Sequence, residues 1–311
     1  VTVEARFEES STRARLGTFP TPVELRGSLW VKRDDLNAPV CGGNKVRALE
    51  FLLGAVTPGD TVITLGARGS THVLATAVHA ARLGARTIAY TWPQVMNPTA
   101  LAVADELRAR CYRIVPTFHA LAALARYTYA HARGDDPRYG TAHGTTHFVP
   151  IGGTSRVGIR GHIEAGRELA EQIRRGEMPI PETVVVPLGT GGTAAGIAIG
   201  LGVEGIQTAV TAVRVVPWIA TPPWRIPRLI RASGLRAVPV RVDDTAYGGA
   251  YGKPLDRGRQ AAAEIGLPLD DTYMAKAAAV ALAGRGPTLL WVTFNARAVA
   301  PDLATCDRPA P

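Results

Sequence analysis

Cysteine is scarce in this chain. Cys41, Cys111 and Cys306 are odd in number and far apart, which fits a reducing compartment better than a disulfide framework. None belongs to a Cys-x-x-Cys or Cys/His cluster, so no structural zinc or other metal is expected. Long apolar runs are missing too: no stretch of 18 apolar residues occurs, which argues against a membrane-spanning helix. The opening residues Val1-Thr2-Val3-Glu4-Ala5-Arg6 have neither the basic stretch nor the apolar core of a signal peptide, and a cytoplasmic protein is expected. The formal charge of +9 rests on 35 basic residues, mostly scattered arginines with no run of five or six, so a nucleic-acid partner is not expected. The positive balance still favours an anionic cofactor or a carboxylate substrate. There is no Ser/Gly linker and no internal repeat, and the alanine-rich segments are explained by helix propensity.

What is present is the composition of a globular protein, 46% hydrophobic and 20% charged over 311 residues, a length that suggests two lobes with separate cores. Short runs rich in β-branched residues predict strands at Thr61 to Leu65, Thr87 to Tyr90, Arg113 to Val115, Thr183 to Leu188, Ala209 to Val216 and Leu289 to Thr293. Helical segments are predicted at Val73 to Leu83, Ala100 to Ala109 and Ile159 to Ile173. This alternation is that of parallel α/β units with helices covering a sheet. Val184-Val185-Val186 shows no in-out alternation, as expected of a strand buried on both faces. The polar Arg133-Gly134-Asp135-Asp136-Pro137 segment reads as a turn between elements rather than a hinge between domains.

Three segments can carry chemistry. In Cys41-Gly42-Gly43-Asn44-Lys45-Val46-Arg47 a glycine turn runs into a helix with Val46, Leu49 and Leu53 on one face, and Asn44 is placed to cap it. Lys45 then falls in the first turn, where the helix dipole disfavours a cation, and an amine of lowered pKa there could attack a carbonyl. A solvated lysine beside a cap is the plain alternative. After the strand Thr183 to Leu188, Gly189-Thr190-Gly191-Gly192-Thr193 leads into the small-residue helix Ala194 to Gly200. Its glycines permit close backbone approach, and its helix N-terminus offers N–H groups to a phosphate. No Lys-Ser/Thr follows, so it is not a Walker A loop. A dinucleotide site is the weaker reading because the next strand lacks a terminal acid, and tight strand-to-helix packing is the plain alternative. The third segment is Gly66-Ala67-Arg68-Gly69-Ser70-Thr71-His72, where Ser70 or Thr71 can cap a helix and His72 can be an ordinary packed residue. Tyr251 and Tyr273, taken alone, read as ordinary core or surface tyrosines.

In order along the chain, Thr21-Pro22-Val23-Glu24-Leu25, Leu29-Trp30-Val31-Lys32-Arg33-Asp34-Asp35-Leu36, Gly43-Asn44-Lys45 through Leu53, and the Ser70 turn lead into Gly152-Gly153-Thr154-Ser155 and Gly161. Glu168-Leu169-Ala170-Glu171-Gln172, the Gly189 to Thr193 loop, Tyr251-Gly252 and Leu269-Asp270 to Lys276 complete the set. This ordered set resembles the family of 1-aminocyclopropane-1-carboxylate deaminase and D-cysteine desulfhydrase, almost end to end. The resemblance implies an α/β fold of two open twisted-sheet domains, that of fold-type II (tryptophan synthase β-like) pyridoxal-phosphate enzymes. It also implies a smaller domain, residues 48–147, inserted into a larger one formed by 1–47 and 148–311, a cofactor in the cleft between them, and a homodimer.

Residue by residue, the resemblance makes Lys45 the Schiff-base lysine, with Asn44 beside it, and makes Gly189, Thr190, Gly191, Gly192 and Thr193 the phosphate cup of pyridoxal 5'-phosphate. Ser70, Thr71 and His72 fall near the substrate, and Tyr251 and Tyr273 match active-site tyrosines that break or protonate substrate bonds. Three departures stand out. Thr71 replaces the family's asparagine at the cofactor ring oxygen. Met274 stands where deaminases carry glutamate and desulfhydrases threonine against the pyridine nitrogen. Thr293-Phe294-Asn295 replaces a Thr-Gly-Gly, leaving Thr293 as the partner for that nitrogen. Without an acid there the ring stays neutral and is a weaker electron sink, which favours β-elimination from a small amino acid, giving an oxo acid and ammonia. β-Replacement by a second nucleophile and a non-catalytic cofactor-binding relic are the alternatives.

Overall fold

The computed structural model describes residues 12–136, 144–284 and 286–294. Val1 to Arg6, Pro137, Asn295 and Cys306, which entered the reading above, lie outside them. Among the described residues ten strands form two sheets. The smaller holds β3 (Thr61–Ala67), β4 (Arg86–Trp92), β5 (Arg113–Pro116) and β6 (Thr146–Phe148) in the order β5-β4-β3-β6, all parallel. The larger has the order β1-β2-β10-β7-β8-β9. Its strands are β1 (Val23–Arg26), β2 (Leu29–Arg33), β7 (Thr183–Leu188), β8 (Ala209–Arg214), β9 (Val240–Asp243) and β10 (Thr288–Val292). Among the described residues only the β1–β2 hairpin is antiparallel.

Nine α-helices occur among the described residues: α1 (Asn44–Leu52), α2 (Thr71–Arg82), α3 (Pro98–Arg110), α4 (Ala120–Arg133), α5 (Ile159–Arg174), α6 (Gly192–Val203), α7 (Arg225–Ser233), α8 (Asp256–Ile265) and α9 (Met274–Leu282). The predicted strands and helices are all found, with ends that move by one to three residues, as element ends do. β8 stops at Arg214 rather than Val216. The polar segment after Arg133 is a helix end, with Gly134 in the left-handed conformation at φ 80°.

β7 lies between β10 and β8, and Val184 to Leu188 are all buried, which accounts for its unalternating sequence. Behind it α5 packs on α6 almost backbone to backbone. A Cβ at Gly200 would stand 2.2 Å from Ile163 O and 2.8 Å from Gly166 Cα, so only glycine lets these two helices approach. Residues Gly192 to Gly202 of α6 are buried all round, which places the helix, and the loop leading into it, in the interior of the larger layer.

A buried ionic cluster fixes the helix carrying Lys45. The Arg47 guanidinium donates to Asp34 at 2.7 Å and to Glu168 at 2.9 Å, and Lys32 Nζ, fully buried, donates to Glu168 at 2.5 Å and to the Thr21 carbonyl at 2.6 Å. Burial works against each of these charges, but the Arg47 contacts hold Asp34 and Glu168 below the usual carboxylate range. Three elements (β2, α1 and α5) are joined here, and the cluster sits on the far side of α1 from the cavity described next.

Candidate active site

One cavity of about 520 Å³ is lined from both layers, by Lys45, Ser70, Thr71 and His72 together with Gly189, Thr190, Gly191, Thr193, Tyr251, Tyr273 and Thr293. The segments singled out from the sequence therefore meet in one place. Asn44 also lines it; Met274 does not, nor does Gly192.

Lys45 sits in the first turn of α1, but the helix is capped differently from expectation. Gly43, at φ 140°, is the cap residue with no side-chain bond, and Asn44 begins the helix. The Asn44 amide instead reaches across the cavity floor to donate to Thr193 Oγ1 at 2.8 Å, tying the lysine's helix to the glycine loop. Lys45 Nζ has only a long 3.4 Å contact to Gly152 O. Burial lowers its pKa to about 8, so desolvation rather than the helix dipole is the physical cause. The other lysines are placed differently. Lys32 is engaged in the ionic cluster, Lys276 donates to the Tyr247 carbonyl at 3.0 Å, and Lys253 is exposed.

The Gly189–Thr193 loop turns from β7 into α6 through Gly191, at φ 87°. A Cβ at Gly191 would stand 3.0 Å from Ile226 Cγ1, and one at Gly192 would stand 2.6 Å from Thr154 Oγ1. Thr154 and Thr190 share a 2.5 Å hydroxyl contact, and Thr190 also lies against Gly152, whose carbonyl faces Lys45. The helix start has no side-chain cap, so its first N–H groups are left for an anion.

On the smaller layer, Ser70 caps α2 by accepting from Val73 N at 3.4 Å, the bland role foreseen for it, while still lining the cavity. His72 Nε2 meets Thr64 Oγ1 at 3.2 Å, and burial, reinforced by the Lys45 charge, pushes its pKa down to about 3. It is a neutral imidazole at ordinary pH.

Tyr251 and Tyr273 face one another edge-on with their hydroxyls 2.7 Å apart. Burial pushes Tyr251 up to about 12 and Tyr273 well above its usual value. Asp270, itself pushed up to about 6 by burial, accepts from the N–H groups of Thr272, Tyr273 and Met274 and so shapes the turn that presents Tyr273. Asn97, which caps α3 of the smaller layer, donates at 2.9 Å both to Gly252 O and to Thr272 Oγ1. It thereby touches a neighbour of each tyrosine. No motif pointed to Asn97, and a local reading of Asn-Pro before a helix sees only the cap.

Met274 is fully buried, and its Sδ accepts from Thr293 Oγ1 at 3.2 Å and from Thr293 N at 3.3 Å. It stands behind Thr293, which lines the cavity while Met274 packs into the core between β10 and α9. No Asp or Glu lines the cavity among the described residues, and no group of acids, histidines and cysteines there could hold a metal ion. Likewise no described helix is long and apolar enough to cross a membrane.

The family model of pyridoxal-phosphate dependent enzymes matches residues 14–266. Nocardicin C-9' epimerase of Nocardia uniformis subsp. tsuyamanensis is 40% identical over 79% of this chain and 79% of its own. D-cysteine desulfhydrase of Salmonella choleraesuis is 32% identical over 86% of each. Among solved structures an ACC deaminase homologue superposes with a TM-score of 0.74 at 22% identity over 94% of each chain. O-ureido-L-serine synthase does so with 0.62 at 18% over 95% of each. These two likenesses establish the fold. The chain belongs to the pyridoxal-phosphate dependent enzymes of fold-type II, with pyridoxal 5'-phosphate as its cofactor.

Proposed function

We propose that the cavity takes the α-proton from an amino acid held on the cofactor, with Lys45 as the base and the Tyr251–Tyr273 pair as the second proton carrier. One observation carries the reading. The same cavity brings together an amine whose pKa burial lowers to about 8 and a hydrogen-bonded tyrosine pair kept protonated by burial. Two groups of pKa driven apart by their surroundings are what acid–base chemistry at a carbon centre needs.

The residues fit the cofactor. Lys45 offers a nearly free amine for its aldehyde, and the uncapped, glycine-lined start of α6 offers N–H groups for its phosphate. The cofactor supplies, when bound, an electron sink that makes an α-proton removable. With no acid in the cavity wall, the Thr293 hydroxyl is the polar group placed to meet the ring nitrogen, and Met274 acts on it from behind. Ser70 and the first turn of α2 provide donors for a substrate carboxylate. The buried Leu65 and the half-buried Trp92 form an apolar stretch of the wall, whereas Leu121 and Ile219, which also line it, are 72% and 75% exposed. The division into an inserted unit, residues 48–147, and a larger remainder belongs to the same proposal; so do the homodimer and the cytoplasmic location.

Where the β-carbon bears a leaving group, removal of the α-proton ends in its expulsion, and water then hydrolyses the released enamine to an oxo acid and ammonia. A second reading is favoured by the 40% identity to an epimerase: the proton lost to one carrier is returned by the other, and the α-centre inverts. The holoenzyme incubated with D- and L-amino acids in deuterated water separates them. Elimination releases ammonia and oxo acid. Epimerisation releases neither and leaves the opposite enantiomer carrying deuterium at the α-carbon. Borohydride treatment with peptide mapping checks the shared premise, since the cofactor should be found on Lys45; a label on Lys32, Lys253 or Lys276 would overturn it.

A further inference from the structure

The cavity wall contains two side chains that can carry positive charge at neutral pH, Lys45 and Arg225, and no carboxylate among the described residues. Lys45 loses its charge easily and is committed to chemistry, and His72 is held neutral. Arg225 is the permanent cation. It begins α7 (Arg225–Ser233), where the helix dipole disfavours it, and no carboxylate pairs with it among the described residues. Its Nε donates to the carbonyl of Thr190 at 2.8 Å, which uses one of its five donors.

The segment around Arg225 is stitched to the glycine loop three times. Thr221 Oγ1 donates to Gly189 O, Arg225 donates to Thr190 O, and Ile226 stands 3.0 Å from where a Gly191 Cβ would be. A half-buried guanidinium without an acid is thus fixed on a loop that itself has no basic residue. Burial alone lowers the pKa of Arg225, though an arginine remains charged at any ordinary pH. A phosphate monoester carries about −1.5 to −2 at pH 7, whereas a helix N-terminus offers the equivalent of about half a positive charge.

We propose that Arg225 is the cation that anchors the cofactor's phosphate, its Nε tethered to Thr190 while the rest of its fork faces the anion. This inference rests on the Gly189–Thr193 loop being the phosphate cup. It identifies a positioning residue for the cofactor that no motif in the sequence singled out.

The test uses full-length apoprotein and two ligands, pyridoxal 5'-phosphate and pyridoxal, which lacks the phosphate. Dissociation constants are read by absorbance for the unaltered protein, Arg225→Gln and Arg225→Lys, with thermal melting in inorganic phosphate as a second readout. Arg225→Gln should weaken pyridoxal phosphate about ten- to a hundredfold, the range for a charge-assisted hydrogen bond. It should leave pyridoxal unchanged and abolish the phosphate-induced rise in melting temperature. Arg225→Lys, which keeps the charge but not the fork, should fall between, and it also serves if the glutamine variant folds poorly. Equal affinity of Arg225→Gln and the unaltered protein for pyridoxal phosphate would overturn the inference. So would a variant whose only defect is a raised KM for the amino acid, because Arg225 would then serve the substrate. If the unaltered protein does not prefer pyridoxal phosphate to pyridoxal, the loop is not the cup, and that reading fails before this one.

Discussion

Residue 274 lies in the core and not in the cavity wall. Aligning Met274 with an acid or threonine of related enzymes suggests a side chain at the ring nitrogen, but the methionine is fully buried behind Thr293 and presents its sulfur to that residue's hydroxyl and N–H. Met274→Glu would therefore place a carboxyl in a core rather than against the cofactor. Burial and the neighbouring Asp270, which binds the 274 N–H at 3.2 Å, would both resist its ionisation. We expect a loss of roughly 3 kcal/mol or more in urea unfolding of the apoprotein, the cost of burying a polar carboxyl without partners in place of a packed methionine, with no gain in turnover. An undiminished urea midpoint would mean that the side chain swings out to the cavity after all. The position of Lys45, by contrast, is legible from the consecutive glycine turn, helix start and lysine, and it does line the cavity, while its role as the Schiff-base lysine comes from the family resemblance alone. Arg225 and Asn97 are not legible in this way, since each takes its meaning from a partner far away in the chain: Thr190 for one, Gly252 and Thr272 for the other.

Among the elements, the glycine loop shows why composition and conformation agree here. Gly191 is left-handed at φ 87° and has Ile226 against its vacant Cβ position, so any side chain meets both backbone strain and a steric neighbour. Gly191→Val should cost about 1–3 kcal/mol or more from the backbone alone, and should let the cofactor go on dialysis, measured as lost absorbance. Full retention would show that the phosphate is held elsewhere. The long parallel strands were readable because burial on both faces makes them continuous apolar runs. β6, three residues long, and the β1–β2 hairpin at the sheet edge carry no such pattern. The helices α7 and α8 carry no clear helical signal because Pro227 and Gly258 stand near their starts. The cap of α1 differs from the local reading because the cap residue is Gly43, which has no side chain, while the Asn44 amide has a tertiary partner in Thr193.

Across the whole molecule, three neutral buried histidines set the response to acid. Burial lowers His72 and His162 to about 3, with the Lys45 charge contributing to each, and lowers His79 to about 4, with Arg82 contributing. Unfolded, each would titrate near 6.5. Their contribution is therefore fully present above about pH 6.5 and drains away as pH falls towards 3–4, because the unfolded chain binds the extra protons. Each such proton changes stability by about 1.4 kcal/mol per pH unit. Asp270, raised to about 6, acts with the opposite sign between about pH 6 and 4 and offsets one of the three. The apoprotein's melting temperature should be flat just above pH 6.5 and fall steadily below it. Changing His79 to Gln, remote from the cavity, should make that fall shallower; an unchanged slope would mean the imidazole is already charged in the fold. The Asn97 amide has a last consequence at this scale. It belongs to the smaller sheet's layer yet grips the flanks of both tyrosines, so a rotation of one layer against the other pulls on Tyr251 and Tyr273 together. In the proposed mechanism the tyrosine pair is thus tied through Asn97 to the layer that carries Ser70 and Thr71, and a movement between the layers would disturb its alignment.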